Sequence, residues 1–186
     1  MRIRITDIPP EGRDLEFTLE KNALNQRLSL TRAEIDESSV QPPEYNFTKS
    51  PEAQLNLMLE GSTVVVQGRI AGEFTTPCSR CAEEAMKQLE VPISLILKPH
   101  SERNVEGEDA EEEDLNFGIY DGEEIEFSDI AEEFLVLALP FTVHCSEECK
   151  GLCPQCGKNL NAEACDCKPE PKGDPRLSVL RELKLH

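Results

Sequence analysis

The chain has no tryptophan, two tyrosines and seven phenylalanines, so aromatics make up 5% of its 186 residues. With 38% hydrophobic residues this describes a lean but foldable chain, not a wholly disordered one. Histidine is nearly as scarce: His100, His144 and His186 are the full set. A catalytic metal site, which usually draws on histidine and keeps one position open, has little to build on. Positive charge is short, with 19 Lys+Arg against 37 Asp+Glu and a net charge of −18. A generic nucleic-acid or membrane-surface binder needs a basic face, so this balance argues against both. No run approaches the ~18 apolar residues of a membrane span. The opening residues Met1–Asp7 lack the apolar core of an export signal, so the expected compartment is the cytoplasm. There is no phosphate loop, nucleophile elbow or dinucleotide fingerprint.

What is present in quantity is cysteine, eight in all. In a reducing compartment, clustered cysteines bind metal or do redox chemistry more often than they form disulfides. Cys153-Pro154-Gln155-Cys156-Gly157 is the strongest pattern, because a two-residue gap lets both sulfurs of one turn reach one ion. Pro fixes that turn and Gly permits positive φ or close backbone approach. Cys165 and Cys167 return nine residues later and complete a first-choice site of Cys153, Cys156, Cys165 and Cys167. A second set, Cys78, Cys81, Cys145 and Cys149, uses the remaining four but depends on proximity that sequence does not reveal. Cys78 and Cys81 can equally be a reduced pair without metal. His144 adjoins Cys145 and is read as a solvated loop residue, with sulfur replacement the alternative. The expected ion is structural Zn²⁺, at one site or two. A thioredoxin-like use of Cys78 and Cys81 fits poorly, because that motif should open a helix after a strand.

The acid is uneven. Residues 102–133 hold 15 acids and one base, a net −14, leaving −4 for the remaining 154 residues. Within it, residues 102–115 read as a solvated acidic loop. Period-two alternation predicts strands at Ile3–Ile5 and Leu15–Leu19, then at 55–59, 64–70 and 89–97, the last three forming an antiparallel meander. Pro92 suggests an edge or bulge. A short helix is expected over roughly Lys21–Leu28, with Gln41-Pro42-Pro43-Glu44 as a breaker. Phe117–Tyr120 and Glu124–Phe127 read as short strands around Asp121-Gly122. Ile130, Phe134, Leu137 and Ala138 lie on one helical face, capped by Ser128 or Asp129 and ended by Pro140. Asp174–Leu183 reads as a short helix with Pro175 at its first position and Leu177, Leu180 and Leu183 as its apolar seam. The expected fold is α+β: an antiparallel sheet or partly open barrel covered by one main helix, with a C-terminal cysteine-rich zinc-binding segment. The division is residues 1–143 for the core and 144–186 for the cysteine-rich part.

Several motifs resemble one family in order. They are Val66-Gln67-Gly68-Arg69 leading to Cys78-Ser79-Arg80-Cys81, the helix Ile130–Leu139 ending in Pro140, and Cys149–Asn161 followed by Cys165, Cys167 and Asp174-Pro175-Arg176-Leu177. Over roughly residues 60–186 the chain is similar to the YceD-like family, the large ribosomal RNA subunit accumulation proteins. The resemblance implies a bacterial cytoplasmic factor linked to accumulation of 23S ribosomal RNA, without enzymatic activity. It also implies that metal stabilises the C-terminal part, since some family members lack most of the cysteines. A gene for a small basic ribosomal protein often lies beside those of the family. Two binding routes follow: the acidic loop holding such a basic protein, or Arg69, Arg80, Lys150, Lys158 and Lys168 meeting rRNA phosphates. The other readings are a zinc-ribbon adaptor outside the ribosome pathway and a CxxC thiol-redox protein.

Overall fold

In the computed structural model, residues 1–34, 43–100 and 116–167 are described. Strands β1 (Arg2–Arg4) and β2 (Arg13–Thr18) precede helix α1 (Lys21–Glu34). Then come β3 (Asn46–Phe47), β4 (Glu52–Glu60), β5 (Thr63–Pro77), β6 (Glu84–Pro99), β7 (Phe117–Tyr120), β8 (Glu124–Glu126) and helix α2 (Phe127–Leu137). The acidic loop at 102–115 and the helix expected at 174–183 lie outside the described residues, as do Gln41 and Pro42 of the breaker.

The meander forms as its alternation requires. Leu57 pairs with Val66 and Val66 with Leu95, while Ala53, Ile70 and Val91 line up one layer away. One inward face collects Leu15, Leu55, Leu57, Val64, Val66, Ile70, Val91 and Ile93, all buried. A one-residue slip would turn each strand's apolar set to solvent, so the register is strongly specified. Gly68 sits between Leu55 and Ile93. A Cβ there would lie 2.1 Å from the Gln54 carbonyl oxygen and 2.8 Å from Leu55 Cα. Only glycine lets β4 and β5 approach this closely.

The sheet order is β2-β4-β5-β6-β7, with β3 pairing β5 off that path. Its end strands β2 and β7 do not pair with each other, so of the expected sheet or partly open barrel the structure has the open sheet. All its pairings are antiparallel except β6 with β7, which is parallel over Ile96–Pro99. At Pro92, β6 pairs with β5 at Arg69 and has no described strand on its other side, which is the edge position the proline suggests. The strands flanking Asp121-Gly122 form no hairpin: β8 pairs with β1 in a separate two-stranded ribbon.

The described residues hold two α-helices, one at each of the two places where the sequence predicts a helix within them. α1 runs past the expected Leu28, and its Asn25 amide caps β3, donating to the Phe47 carbonyl at 3.1 Å and accepting from the Phe47 N–H at 2.8 Å. The two helices meet at an Arg27–Glu132 ion pair of 3.2 Å.

α2 buries Phe127, Ala131 and Leu135, one position around from the expected stripe. Ile130, Phe134 and Ala138 pack at the margin, and Leu137 is 78% exposed. The helix is apolar on too many sides for period alone to choose a face, and packing on β1 and β6 makes the choice. Neither Ser128 nor Asp129 caps it. Glu126 occupies the cap position, the Phe127 N–H donates to the Met1 carbonyl at 2.8 Å, and the Ser128 hydroxyl donates to Glu126 Oε1 at 2.8 Å.

Candidate metal centres

The long strands β5 and β6 join through residues 78–83, where Cys78 and Cys81 are part of the buried core. This connection is a tight turn. The Cys78 N–H donates to the Glu83 carbonyl at 2.8 Å, and the Ala82 N–H to the Cys78 carbonyl at 2.9 Å. Ala82 takes a positive φ of 60°, which the closure requires. The chain after α2 comes back onto this turn. Ser79 N–H donates to the Val143 carbonyl at 2.8 Å, and Val143 N–H to Ser79 Oγ at 3.1 Å. That places Cys145 and Cys149 over Cys78 and Cys81.

The four sulfurs all lie within 4.8 Å of one another. Cys78 to Cys149 is 3.8 Å and Cys81 to Cys145 is 3.6 Å. A tetrahedron with ~2.3 Å metal–sulfur bonds has edges of about 3.8 Å. The set therefore has the size of a closed tetrahedral thiolate site, far wider than a disulfide, and all eight cysteines are free. The N–H groups of Arg80 and Cys145 point at Cys78 Sγ, at 3.4 and 3.3 Å. Asn161 Nδ2 donates to Cys149 Sγ at 3.4 Å.

The second set is local. Cys153 N–H donates to the Lys158 carbonyl at 2.8 Å and Gly157 N–H to the Cys153 carbonyl at 2.9 Å, closing the turn that the Cys-Pro-x-Cys-Gly spacing predicts. Gly157 adopts φ 72°. Cys165 Sγ lies 3.3 Å from Cys153 Sγ and 3.5 Å from Cys156 Sγ, and with Cys167 the four sulfurs again fall within 4.8 Å. The structure thus gathers both sequence-nominated sets of four. His144 joins neither; it lines a separate cleft of about 330 Å³ with Phe74, Leu89 and Pro140.

The thiols differ in acidity. Burial pushes Cys78 up, but N–H groups of Arg80, Cys81 and Cys145 outweigh it and bring the thiol down to about 6. The backbone at Glu83 pulls Cys81 down, yet burial and the neighbouring thiols drive it up to about 12. In the other set, N–H groups of Cys156 and Gln155 hold Cys153 at about 6, while Cys165 and Cys156 push Cys167 to about 12. Asn161 and the Gly151 N–H also lower Cys149 against its burial, so each set mixes thiols that favour ionisation with neighbours that resist further negative charge. A divalent cation removes that conflict and lets all four ionise. Both donor sets are all-sulfur and four-membered, which suits tetrahedral Zn²⁺ and leaves no open position.

Sequence reasoning passed over the residues that dock one set onto the other. Leu152 N–H donates to the Arg80 carbonyl at 3.0 Å, and Arg80 Nη1 donates to the Cys149 carbonyl at 3.1 Å. Gly151, at φ 74°, lets the chain pass within 3.1 Å of that Arg80 carbonyl, measured to where a Cβ would sit. Asn161 Oδ1 accepts from Lys150 N–H at 2.8 Å, and Asn159 reaches Glu83 at 3.2 Å. The available signal was Asn159 and Asn161 two apart in a cysteine loop, side chains that readily bond local backbone.

Among the described residues, no helix is long and apolar enough to cross a membrane. No solved structure gives a significant match to the chain. A relative from Arabidopsis thaliana, Large ribosomal RNA subunit accumulation protein YCED homolog 1, chloroplastic, is 31% identical over 142 residues, covering 63% of this chain and 44% of the relative. An uncharacterized protein of Mycobacterium tuberculosis is 32% identical over 121 residues, covering 64% of this chain and 55% of its own length. The Bacillus subtilis protein YlbN, also uncharacterized, is 29% identical over 115 residues, covering 61% and 62%. The chain thus spans about half the length of the curated relatives it matches. Residues 66–184, which contain all eight cysteines, match the model of the family described as Large ribosomal RNA subunit accumulation protein YceD, and the chain belongs to that family.

Proposed function

We propose that this chain is a non-enzymatic factor that supports accumulation of 23S ribosomal RNA during large-subunit assembly, and that it acts by binding. Both cysteine sets hold structural Zn²⁺ in this reading. The observation that carries it is that the whole eight-cysteine framework lies inside the family match and consists of two closed four-sulfur sets. Such sets order a binding surface and offer no position for substrate. The chain's own residues do the rest: the β5–β6 turn receives the returning segment, and Arg80, Gly151 and Asn161 hold it there.

The partner that the charges favour is a small basic ribosomal protein. Most of the cations nominated for phosphate contact are already engaged. Arg69 is held by Gln54 and Glu90 at 3.1 and 3.2 Å, Arg80 by the Cys149 carbonyl, and Lys158 by Glu163 at 3.4 Å; Lys168 lies outside the described residues. With a net charge of −18, complementarity points to a cationic partner.

The reading is tested by deleting the gene and measuring 23S rRNA, with complementation by wild type and by C78S/C149S. Loss of 23S rRNA restored only by wild type is expected; unchanged 23S rRNA in the deletion refutes it. Purified protein should capture basic large-subunit proteins. Binding to rRNA fragments instead, with a steep salt slope, overturns the choice of partner.

A further inference from the structure

The two four-sulfur sets differ in exposure. Cys78, Cys81 and Cys149 are buried at 3–4% exposure, and of that inner set only Cys145 is exposed. In the outer set Cys156 and Cys167 are exposed, Cys165 is half-buried and only Cys153 is buried. The inner set joins the β5–β6 turn to the segment after α2 and sits against the core. The outer set closes on itself at the far side of that segment.

We propose that the outer site, Cys153, Cys156, Cys165 and Cys167, is an oxidation site that releases its zinc to hydrogen peroxide, while the inner site keeps its ion and holds the segment in place. This rests on the zinc reading above and adds a regulation to it. Attack of a thiolate on peroxide needs an approach path, and the outer sulfurs have one. An exposed thiolate such as Cys156 attacks one peroxide oxygen. The O–O bond breaks, a sulfenic acid forms and hydroxide leaves, taking up a proton to become water. A second thiolate then attacks the oxidised sulfur, an S–S bond forms, and the sulfenic oxygen departs as a second water after protonation. Two electrons pass from two sulfurs to peroxide, and Zn²⁺ leaves with its charge unchanged. Cys165 is placed for the second role, at 3.3 Å from Cys153 and 3.5 Å from Cys156. Closing to the ~2.05 Å of a disulfide is a short movement. With two sulfurs withdrawn, a closed site lacks the ligands to hold its ion. Residues 150–167 then lose one anchor while Cys145 and Cys149 stay fixed.

The test treats the zinc-loaded full chain with graded hydrogen peroxide. Free zinc is followed with a colorimetric chelator, and oxidised cysteines are mapped by mass spectrometry. Two ions per chain are expected before oxidation, one of them lost with a disulfide confined to the outer four cysteines. The other should be lost only on unfolding. C156S should carry one ion that the same peroxide dose does not remove. Simultaneous loss of both ions, oxidation of the inner cysteines first, retention of both ions, or a chain that binds a single ion overturns the proposal. A chain that binds no zinc overturns instead the metal reading beneath it.

Discussion

Replacing Cys149 by serine should cost far more stability than replacing Cys156, although each removes one ligand from one set. The reason is loop length. The inner set ties Cys81 to Cys145 across 64 positions, whereas the outer set ties Cys156 to Cys165 across 9. A cross-link stabilises by restricting the unfolded chain, and the restriction grows with the logarithm of the loop closed. Treating each metal clip like a disulfide, the inner closure is worth about 4 kcal/mol and the outer about 2.5 kcal/mol. Against a total of roughly 5–15 kcal/mol for a domain, the inner loss approaches unfolding. With no tryptophan in the chain, the assay is far-UV circular dichroism in urea, comparing midpoints of zinc-loaded wild type, C149S and C156S at equal slope. C149S should show the larger drop, and a chelator should bring wild type below C156S. If C149S costs no more than C156S, or if chelator leaves the wild-type midpoint in place, the stapling argument is wrong.

Three further outcomes follow from the packing and charge. Leu135→Ala removes a fully buried side chain and should cost about 2–5 kcal/mol, while Leu137→Ala, at 78% exposure, should stay within about 0.5 kcal/mol; equal effects in urea melts would reject the observed face of α2. Gly68→Ala drives a Cβ to 2.1 Å from the Gln54 carbonyl, so it should lower stability by about 1–3 kcal/mol or more through forced separation of β4 and β5; an unchanged midpoint would contradict that contact. Glu126 is held at about 2 by the Met1 ammonium, Ser128 and Arg2. A depressed folded-state pKa contributes stability that is full above the ordinary 4.5 and is lost as pH falls towards 2. Between pH 5 and 3 wild type should therefore lose more stability than E126Q, and parallel curves would show that the ion pair contributes nothing.

Much of this was legible from residue order. The strands at 55–59, 64–70 and 89–97 stand out because each buries one face, and period two is a local property. The turn at Cys153–Gly157 is legible for the same reason: its bonds close within six residues. The face of α2 was not, since Ile130–Leu139 is apolar on most sides and its neighbours decide which stripe is covered. Nor was the choice between a sheet and a partly open barrel, because alternation says nothing about whether the end strands meet, nor the parallel pairing of β7 with β6.

The same division separates the two four-cysteine sets. Sequence by itself determined that eight thiols come in chelating pairs, that the outer four can share an ion across a short loop, and that acid concentrates in residues 102–133. Only tertiary structure decided that Cys78 and Cys81 meet Cys145 and Cys149. Those pairs are more than 60 positions apart, and what joins them is the length of β5 and β6, the end of α2, and a few backbone bonds at Ser79 and Arg80. Spacing specifies a ligand set only when the loop is short enough to hold it; over longer distances the core must first bring the pairs together.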